Sequence, residues 1–528
     1  MIKKLLRNKS QGQAIILIAL AFTGLVCMVG LVSDGGILLI NYAALKRSVD
    51  ASTVAGAQQF RKGYTVTDMD NAVQEFLNLN QTQLNQAPLT NIITETCDTA
   101  VISNDSALCT TPPRKLVRVT ASQQVQFGFL RVIGIKSTTI TASSIGEAAS
   151  IDMVLVVDTS ISMTAATDPN GDPNKVDTPN EDPTLCNPHN TCQPMALVKQ
   201  EAQAFADQMF FPYDRVAVVA MTDQVPGDMT SGGRNPITVW PLGSSYNGTN
   251  VSIAQAAVID QGNVDNAIAG DGSGGTNSLT GLEVYQPSRC QYEADNKTPA
   301  PVPTSGPFVA GDNYLGPCLD YGSNTSTTFI TQGCPVYYQI GDPTTCNSTN
   351  GGGAYSLASN EFNISGRKNS LWVVVTLLTG APNESWPLSW DGTTYPNGYC
   401  PSAYWSASAP FCIEPSITVS GTDPLRVAQN NPTRSGYSSL DYARDMADDL
   451  ADPTSGLGAS IYGICLGNRC EHSSGADPTE PEQFLEYAAE QAGGTLANHG
   501  NYYLSSSTSD LTGIFQDILN SITTKISQ

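Results

Sequence analysis

Two kinds of apolar pattern run along the chain. The first is one unbroken stretch, Ala14 to Ser33 (AIILIALAFTGLVCMVGLVS), twenty residues without a charge, long enough to cross a hydrocarbon layer as a helix. It continues past Asp34 into Ile37, Leu38, Leu39 and Ile40, and there ILLINYAALKRSVDASTVAGAQQF places Leu38, Tyr42, Leu45, Val49 and Ser52 on one stripe. That spacing predicts a helix continuing out of the membrane. A second helix is predicted around Asp70 to Leu79, followed by a polar cysteine-bearing loop and alternating strands at Lys115 to Ala121 (KLVRVTA) and Ser137 to Ala142 (STTITA).

The second pattern is a series of short, fully apolar runs: Met153 to Val157 (MVLVV), Arg215 to Met221 (RVAVVAM), Leu371 to Leu378 (LWVVVTLL) and Ser460 to Leu466 (SIYGICL). Such runs belong to strands buried on both faces of a parallel sheet. Between and after them lie helical patterns. Pro194 opens one whose Met195, Val198, Ala202, Phe205 and Met209 repeat at 3, 4, 3, 4 spacing. Others are predicted near Gly281 to Gln286, at Glu482 to Ala492, and at Leu511 to Ile522, where Leu511, Ile514, Phe515, Ile518 and Ile522 share a face. Strands alternating with helices predict an α/β, doubly wound, mostly parallel sheet over residues 150–528. Polar insertions are expected at about 164–193, 286–368 and 384–438. Loops of that length are functional or disordered more often than not.

Length agrees with this division, since 528 residues exceed the roughly 150 expected of one domain. Apolar residues make up 40%, enough for a sizeable core, but charged residues only 14%, so polar surface comes mainly from Ser, Thr, Asn, Gln and Gly. That suits an exported protein. Lys and Arg number 26 against 48 Asp and Glu, a net charge of −22, which repels a phosphate backbone and excludes nucleic-acid binding by bulk electrostatics.

Thirteen cysteines sharpen the compartment. Cys27 lies inside the apolar run, and twelve follow it: Cys97, Cys109, Cys186, Cys192, Cys290, Cys318, Cys334, Cys346, Cys400, Cys412, Cys465 and Cys470. Neighbours sit close in pairs, as for six local disulfides, although sequence does not fix connectivity. The zinc alternative needs C-x-x-C knuckles or Cys/His clusters, and His189, His472 and His499 are scattered. Disulfides persist only in an oxidising compartment. Lys3, Lys4, Arg7 and Lys9 precede the apolar run, and by the positive-inside rule they keep the N-terminus cytoplasmic and send the rest outward. A cleaved signal peptide has a shorter apolar core, so residues 14–40 read as an uncleaved, single-pass anchor after a basic tail at 1–13. A type IV prepilin signal would place Glu five residues after the cleavage-site Gly, whereas Gly12 is followed at that offset by Leu17.

SQGQAIILIAL, Asp34 after the span, NYAALKRSVDASTVAGA and VTASQQVQFGFLRVIGIKSTTITASSIGEA resemble the TadE/TadG-like family of tight-adherence (Flp) pilus assembly, over roughly residues 10 to 148. The resemblance implies a pilin-like α+β domain at 41–148. The other reading is any signal-anchored stalk helix with a small sheet.

VLVVDTSISM, DRVAVVAMTD, GGTNSLTGLEVY, WVVVTLLTG and IYGICLG resemble the von Willebrand factor A domain. The resemblance puts Asp158, Ser160 and Ser162 on the D-x-S-x-S of its metal-ion-dependent adhesion site, and Thr276 on the second-loop threonine. Ligands of open α/β sheets bind just past the strands' carboxyl ends, and a hard cation such as Mg²⁺, or Mn²⁺ or Ca²⁺, takes oxygen ligands of this kind. One carboxylate leaves the ion under-neutralised, so an acidic group of a partner can complete its coordination. The family's third-loop aspartate is missing, for this chain reads Leu377-Leu378-Thr379-Gly380-Ala381-Pro382-Asn383. Asp223, Asn383 or an insertion residue would have to substitute. The alternative is that Asp158, Ser160 and Ser162 only cap turns and the following helix.

Trp386, Trp390, Tyr395, Tyr399, Tyr404 and Trp405 cluster in the third insertion, as in a partner-binding surface or a disulfide-pinned subcore. Asp168, Asn170 and Asp172 lack the full calcium-loop spacing and read as a solvated loop. No histidine accompanies a nucleophile elbow, and no phosphate-binding Gly loop is present. Glu482 and Glu486 read as a solvated helix face, so no enzyme is expected. The resemblances imply a membrane-anchored protein that binds partners in Flp pilus assembly or adhesion, the expected partners being pilus or secretion-apparatus components. The alternative is a surface adhesin or matrix receptor unrelated to pili.

Overall fold

The computed structural model describes residues 9–82, 87–100, 105–160, 163, 187–221, 236–270, 281–284, 349–382, 388–390, 393–395, 439–467, 470–472, 478–505 and 508–527. They fall into two compact units. Unit 1 comprises residues 1–148 with 246–253, and unit 2 comprises 149–245 with 254–528.

Unit 1 begins with one continuous helix, α1 (Lys9–Gln58, 50 residues). Its first half exposes Ile15, Leu17, Phe22, Leu25, Met28 and their neighbours, while Leu45, Val49, Ala55 and Ala57 in its second half are buried. The change of environment occurs within one helix, with no break near residue 40. Of the predicted stripe, Leu45, Val49 and Ser52 are buried but Tyr42 is exposed. Helix α2 (Val66–Thr82) adds Met69, Val73 and Leu77 to the same core. Both lie on an antiparallel sheet in the order β1-β2-β3, where β1 is Leu89–Glu95, β2 Lys115–Gln126 and β3 Ser137–Ala148. The register runs from Lys115 opposite Ala148 to Gln126 opposite Ser137.

Small residues let these elements approach. A Cβ on Gly146 would meet Thr53 Cγ2 at 2.8 Å, and one on Gly56 would meet Val73 Cγ2 at 2.8 Å. Arg118 pairs with both Glu95 and Asp105, tying the β1 strand and the following loop to β2.

Unit 2 is a six-stranded mixed sheet in the order β11-β10-β7-β4-β5-β6. Its strands are β4 (Ser150–Val157), β5 (Arg215–Ala220), β6 (Ile237–Trp240), β7 (Ser370–Leu378), β10 (Ser460–Leu466) and β11 (Tyr502–Ser505). All neighbours are parallel except β6, which runs antiparallel to β5 at the edge. β8 (Leu388–Trp390) and β9 (Thr393–Tyr395) form a separate two-stranded piece.

Every residue of β4 is buried, because helices cover both faces. Met153, Leu155 and Val157 face one core with α3 (Met195–Ala206), α4 (Ile253–Ala269) and α8 (Leu511–Ser527). Phe205 of α3 meets Phe515 of α8 there, ring centroids 4.9 Å apart. Val154 and Val156 face the other core with α5 (Gly351–Ser365), α6 (Ser439–Ala451) and α7 (Glu480–Glu490). All four apolar runs are strands of this sheet.

Three expectations change. Residues 281–284 form no helix. Leu282 and Val284 are buried in the first core as irregular chain, pinned by the Leu282 N–H donating to Ala267 O at 2.8 Å. The expected 286–368 insertion ends before α5, whose Tyr355 and Phe362 are core residues. Glu482 is buried rather than on a solvated face.

Candidate functional site

From β4 the chain passes through β5 to β6 on one side of the sheet, then returns to build β7, β10 and β11 on the other. Its direction of growth therefore reverses between β4 and β7, and the carboxyl ends of two such strands leave a crevice where ligands of open α/β sheets bind. Asp158 follows β4 directly and Thr379 follows β7 directly.

The ladder itself holds Asp158, since its N–H donates to Leu377 O at 2.9 Å. Its carboxylate is fully buried. Oδ1 accepts the Ser160 N–H at 2.9 Å. Oδ2 accepts the Thr379 N–H at 3.0 Å and the Thr379 hydroxyl at 2.6 Å. Sequence reasoning assigned no role to Thr379, which became visible only when the sheet set β7 beside β4.

The first contact is the turn-capping geometry that Asp adopts locally, and the other two cross the crevice. A carboxylate presents about four lone-pair positions, and among the described residues these contacts occupy three of them. The Thr379 hydroxyl gives its hydrogen to Asp158. This set of hard oxygens matches the chemistry of Mg²⁺ or Ca²⁺, with one negative charge in it and Gly380 where a second carboxylate was sought. Among the described residues, no three His, Cys, Asp or Glu side chains converge on one point.

Ser162, Thr276, Asp223 and Asn383 lie outside the described residues, as do Asp168, Asn170, Asp172 and the side chains of the aromatic cluster. The flanks of the Thr276 segment are defined: Gly270 has φ +76°, and a Cβ on Gly281 would lie 2.0 Å from Gly270 Cα. Only glycines permit the two strands of chain to touch there. At the start of α5, the Asn350 side chain accepts from the Gly353 N–H at 2.8 Å and caps the helix. A Cβ on Gly351 would press on Pro382 Cγ at 3.0 Å.

Disulfides join Cys97 to Cys109 and Cys465 to Cys470, and Cys192 is also disulfide-bonded. Among the described residues only Cys27 is free. Cys186, Cys290, Cys318, Cys334, Cys346, Cys400 and Cys412 lie outside them. His189 is exposed in a 3-10 turn. His472 Nδ1 lies 2.7 Å from Glu482 Oε2, which also accepts the Thr479 N–H at 3.2 Å. Glu482 is thus buried because it closes the first turn of α7, the N3 role of a capping box.

A second buried carboxylate had no sequence signal. At the start of β4, Asp152 binds Arg215 at 2.7 Å and Arg367 at 2.6 Å, and its Oδ2 accepts the Ser370 hydroxyl at 2.7 Å. Burial alone would raise its pKa, but the two guanidinium groups hold the carboxyl below the usual carboxylate range. This network fastens the amino ends of β4, β5 and β7.

Residues 55–145 match the family described as putative Tad-like Flp pilus-assembly. The match covers the end of α1, then α2, β1 and β2, and most of β3 in unit 1. No curated protein matches the chain. Among solved structures, the pilus adhesin SpaC from Lactobacillus rhamnosus GG, in its open conformation, is similar at 10% identity and TM-score 0.32, covering 78% of this chain and 32% of its own. The PilB minor pilin from Streptococcus sanguinis is similar at 11% identity and TM-score 0.32, covering 83% of this chain and 79% of its own. The pilus adhesin RrgA from Streptococcus pneumoniae is similar at 12% identity and TM-score 0.30, with 83% and 49% covered. The chain spans about a third of the length of SpaC.

Proposed function

We propose that the chain is a membrane-anchored, extracytoplasmic protein of Flp pilus assembly or adhesion, whose unit 2 is a von Willebrand factor A-like domain gripping a partner protein through a divalent cation. The observation that carries the reading is the Tad-like match at 55–145, placed in the chain between a helix long and apolar enough to cross a membrane and a sheet whose first strand ends in Asp158.

Lys3, Lys4, Arg7 and Lys9 keep the N-terminus cytoplasmic, and the disulfides suit the outer compartment. The parallel sheet with an antiparallel edge at β6, and helices on both faces, supports the domain type. Asp158, Ser160, Ser162 and Thr276 would hold Mg²⁺, Mn²⁺ or Ca²⁺, with Thr379 fixed against Asp158 beside them. An ion neutralised by one carboxylate keeps positive charge, so an acidic side chain of a pilus or secretion-apparatus component completes its shell. The role is binding rather than catalysis.

Titrating Mg²⁺ into the detergent-solubilised full chain by calorimetry tests the cation. Heat is expected from the wild type and not from Asp158→Ala or Thr276→Ala, and identical heats in all three would refute it. Deleting the gene and imaging surface pili tests the assembly role. Normal pilus numbers would discard it and leave a surface adhesin.

A further inference from the structure

The hairpin tip between β2 and β3, residues 127–136, is the part of unit 1 that the fold itself does not account for. Its sequence, FGFLRVIGIK, is mostly apolar, yet Val132 is 85% exposed, Ile133 71%, Ile135 48% and Phe129 47%. No described element covers them. An exposed apolar cluster of this kind marks a protein contact or a membrane contact.

The tip is fastened to α1 at a defined height. Asp34 Oδ1 accepts the Gly128 N–H at 2.9 Å, and Oδ2 accepts the Phe129 and Leu130 N–H groups at 3.0 and 2.6 Å. One turn earlier, a Cβ on Gly30 would lie 2.8 Å from Phe129 Cβ, so the ring sits directly on the helix. Asp34 is only 1% exposed. At about 1.5 Å per residue, Ala14 to Ser33 spans about 30 Å, the thickness of a hydrocarbon core. Gly30 and Asp34 thus mark the end of the span from which the folded unit emerges, and the tip lies at that level. Ile37, Leu39 and Ile40 remain exposed just beyond, so the apolar surface of the tip is continuous with that of the spanning helix.

The tip also meets the condition that lipid imposes on backbone, which is internal satisfaction of polar groups. The Phe127 N–H donates to Lys136 O, Val132 to Phe129 O, Gly134 to Arg131 O and Ile135 to Leu130 O, at 3.0 to 3.1 Å. Gly134 takes φ +97° to close the turn. With the three amides on Asp34, seven N–H groups of a ten-residue tip are paired. Lys136 is exposed at its end and Arg131 beside Val132 in its middle, and long cationic side chains of this kind reach lipid headgroups while their stems stay against apolar surface.

We infer that the β2–β3 tip is a second membrane-contacting element, with Phe129, Val132, Ile133 and Ile135 in the leaflet beside α1 and Asp34 sealed beneath them. The occupant is the acyl-chain and headgroup boundary of the bilayer. The inference rests on α1 being inserted, which the test reads separately.

The full chain is labelled with the environment-sensitive dye NBD at native Cys27, and in a second protein at Val132→Cys in a Cys27→Ala background. Each is reconstituted into phosphatidylcholine vesicles with and without 5-doxyl lipid, and dithionite reduction of the dye is followed. At Cys27, quenching by the doxyl lipid reports the anchor alone, and its absence would sink the anchor reading. At Val132, the expected result is quenching by the doxyl lipid together with reduction several-fold slower than for free dye. Full-rate reduction without lipid quenching overturns the proposal, and so does protection from both reagents, which would mean that protein covers the tip. A third protein labelled through Ile133→Cys repeats the reading should Val132→Cys fail to fold.

Discussion

Thr379 donates both its backbone N–H and its hydroxyl to Asp158 Oδ2, across 221 positions of sequence. A buried carboxylate that loses a donor keeps its desolvation cost. Thr379→Val is therefore expected to destabilise unit 2 by about 1–3 kcal/mol, and Thr379→Ser, which keeps the hydroxyl, by less. Calorimetric melting of the two variants checks the order. Equal midpoints for valine and serine would show that the hydroxyl contributes nothing.

Asp152 yields a larger effect. Removing one partner of a buried ion pair leaves charge uncompensated, so Asp152→Asn should cost about 3–5 kcal/mol in denaturant unfolding. The folded-state pKa of Asp152 is depressed, so its contribution is fully present above the unfolded carboxylate value of about 3.9. It is lost as pH falls through the lower folded value. Wild-type stability should decline over that acid range, and the variant should decline less.

These two carboxylates show what was legible in the sequence. The four buried strands announced themselves because a strand covered on both faces needs an unbroken apolar run, and Asp158 stood out by ending the first of them. Helix α5 did not, since GGGAYSLASNEFNIS opens with three glycines whose service is close packing at Pro382 rather than helix propensity. Edge strand β6 has four half-buried residues and too little pattern to register. Asp152 meets Arg215 and Arg367 from 63 and 215 positions away, and Thr379 meets Asp158 from farther still. No local rule encodes partners that only the strand order makes adjacent.

In unit 1, Asp34→Ala removes the acceptor of three amides. Hydrogen exchange at Phe129 and Leu130 should quicken by roughly tenfold or more, as expected for losing about 1–3 kcal/mol of local stability. Mass spectrometry of the reconstituted chain reads this directly, with α2 as the internal control. Unchanged exchange would mean that the tip is held by its own turn alone.

The Cys97–Cys109 disulfide closes a loop of sequence separation 12. Replacing both residues by Ser should cost about 3 kcal/mol in the chain-entropy model. Denaturant midpoints with and without reductant test it, and the double variant should be insensitive to reductant at this site.

Lys525 offers an alkaline signature. Its Nζ donates to Ser460 Oγ and Asn498 O at 3.2 Å and to His499 O, and burial pushes its pKa down to about 8. A lysine whose folded pKa is lowered binds fewer protons folded than unfolded, so stability should rise as pH climbs from about 8 towards the unfolded value of about 10.4. Because the side chain is only half-buried, solvent screening limits the gain to about 1–2 kcal/mol. Lys525→Gln should abolish the rise, read from melting curves across that range.

The unbroken run of α1 from Lys9 to Gln58 has a mechanical meaning. On the proposed reading, in which its exposed apolar half lies in lipid, a helix with no hinge between that half and the half buried in unit 1 has no slack to absorb load. A pull or twist on the folded α+β body would then pass into the bilayer as tilt or rotation of the rod, and a shift in the tilt of the rod would turn that body in step.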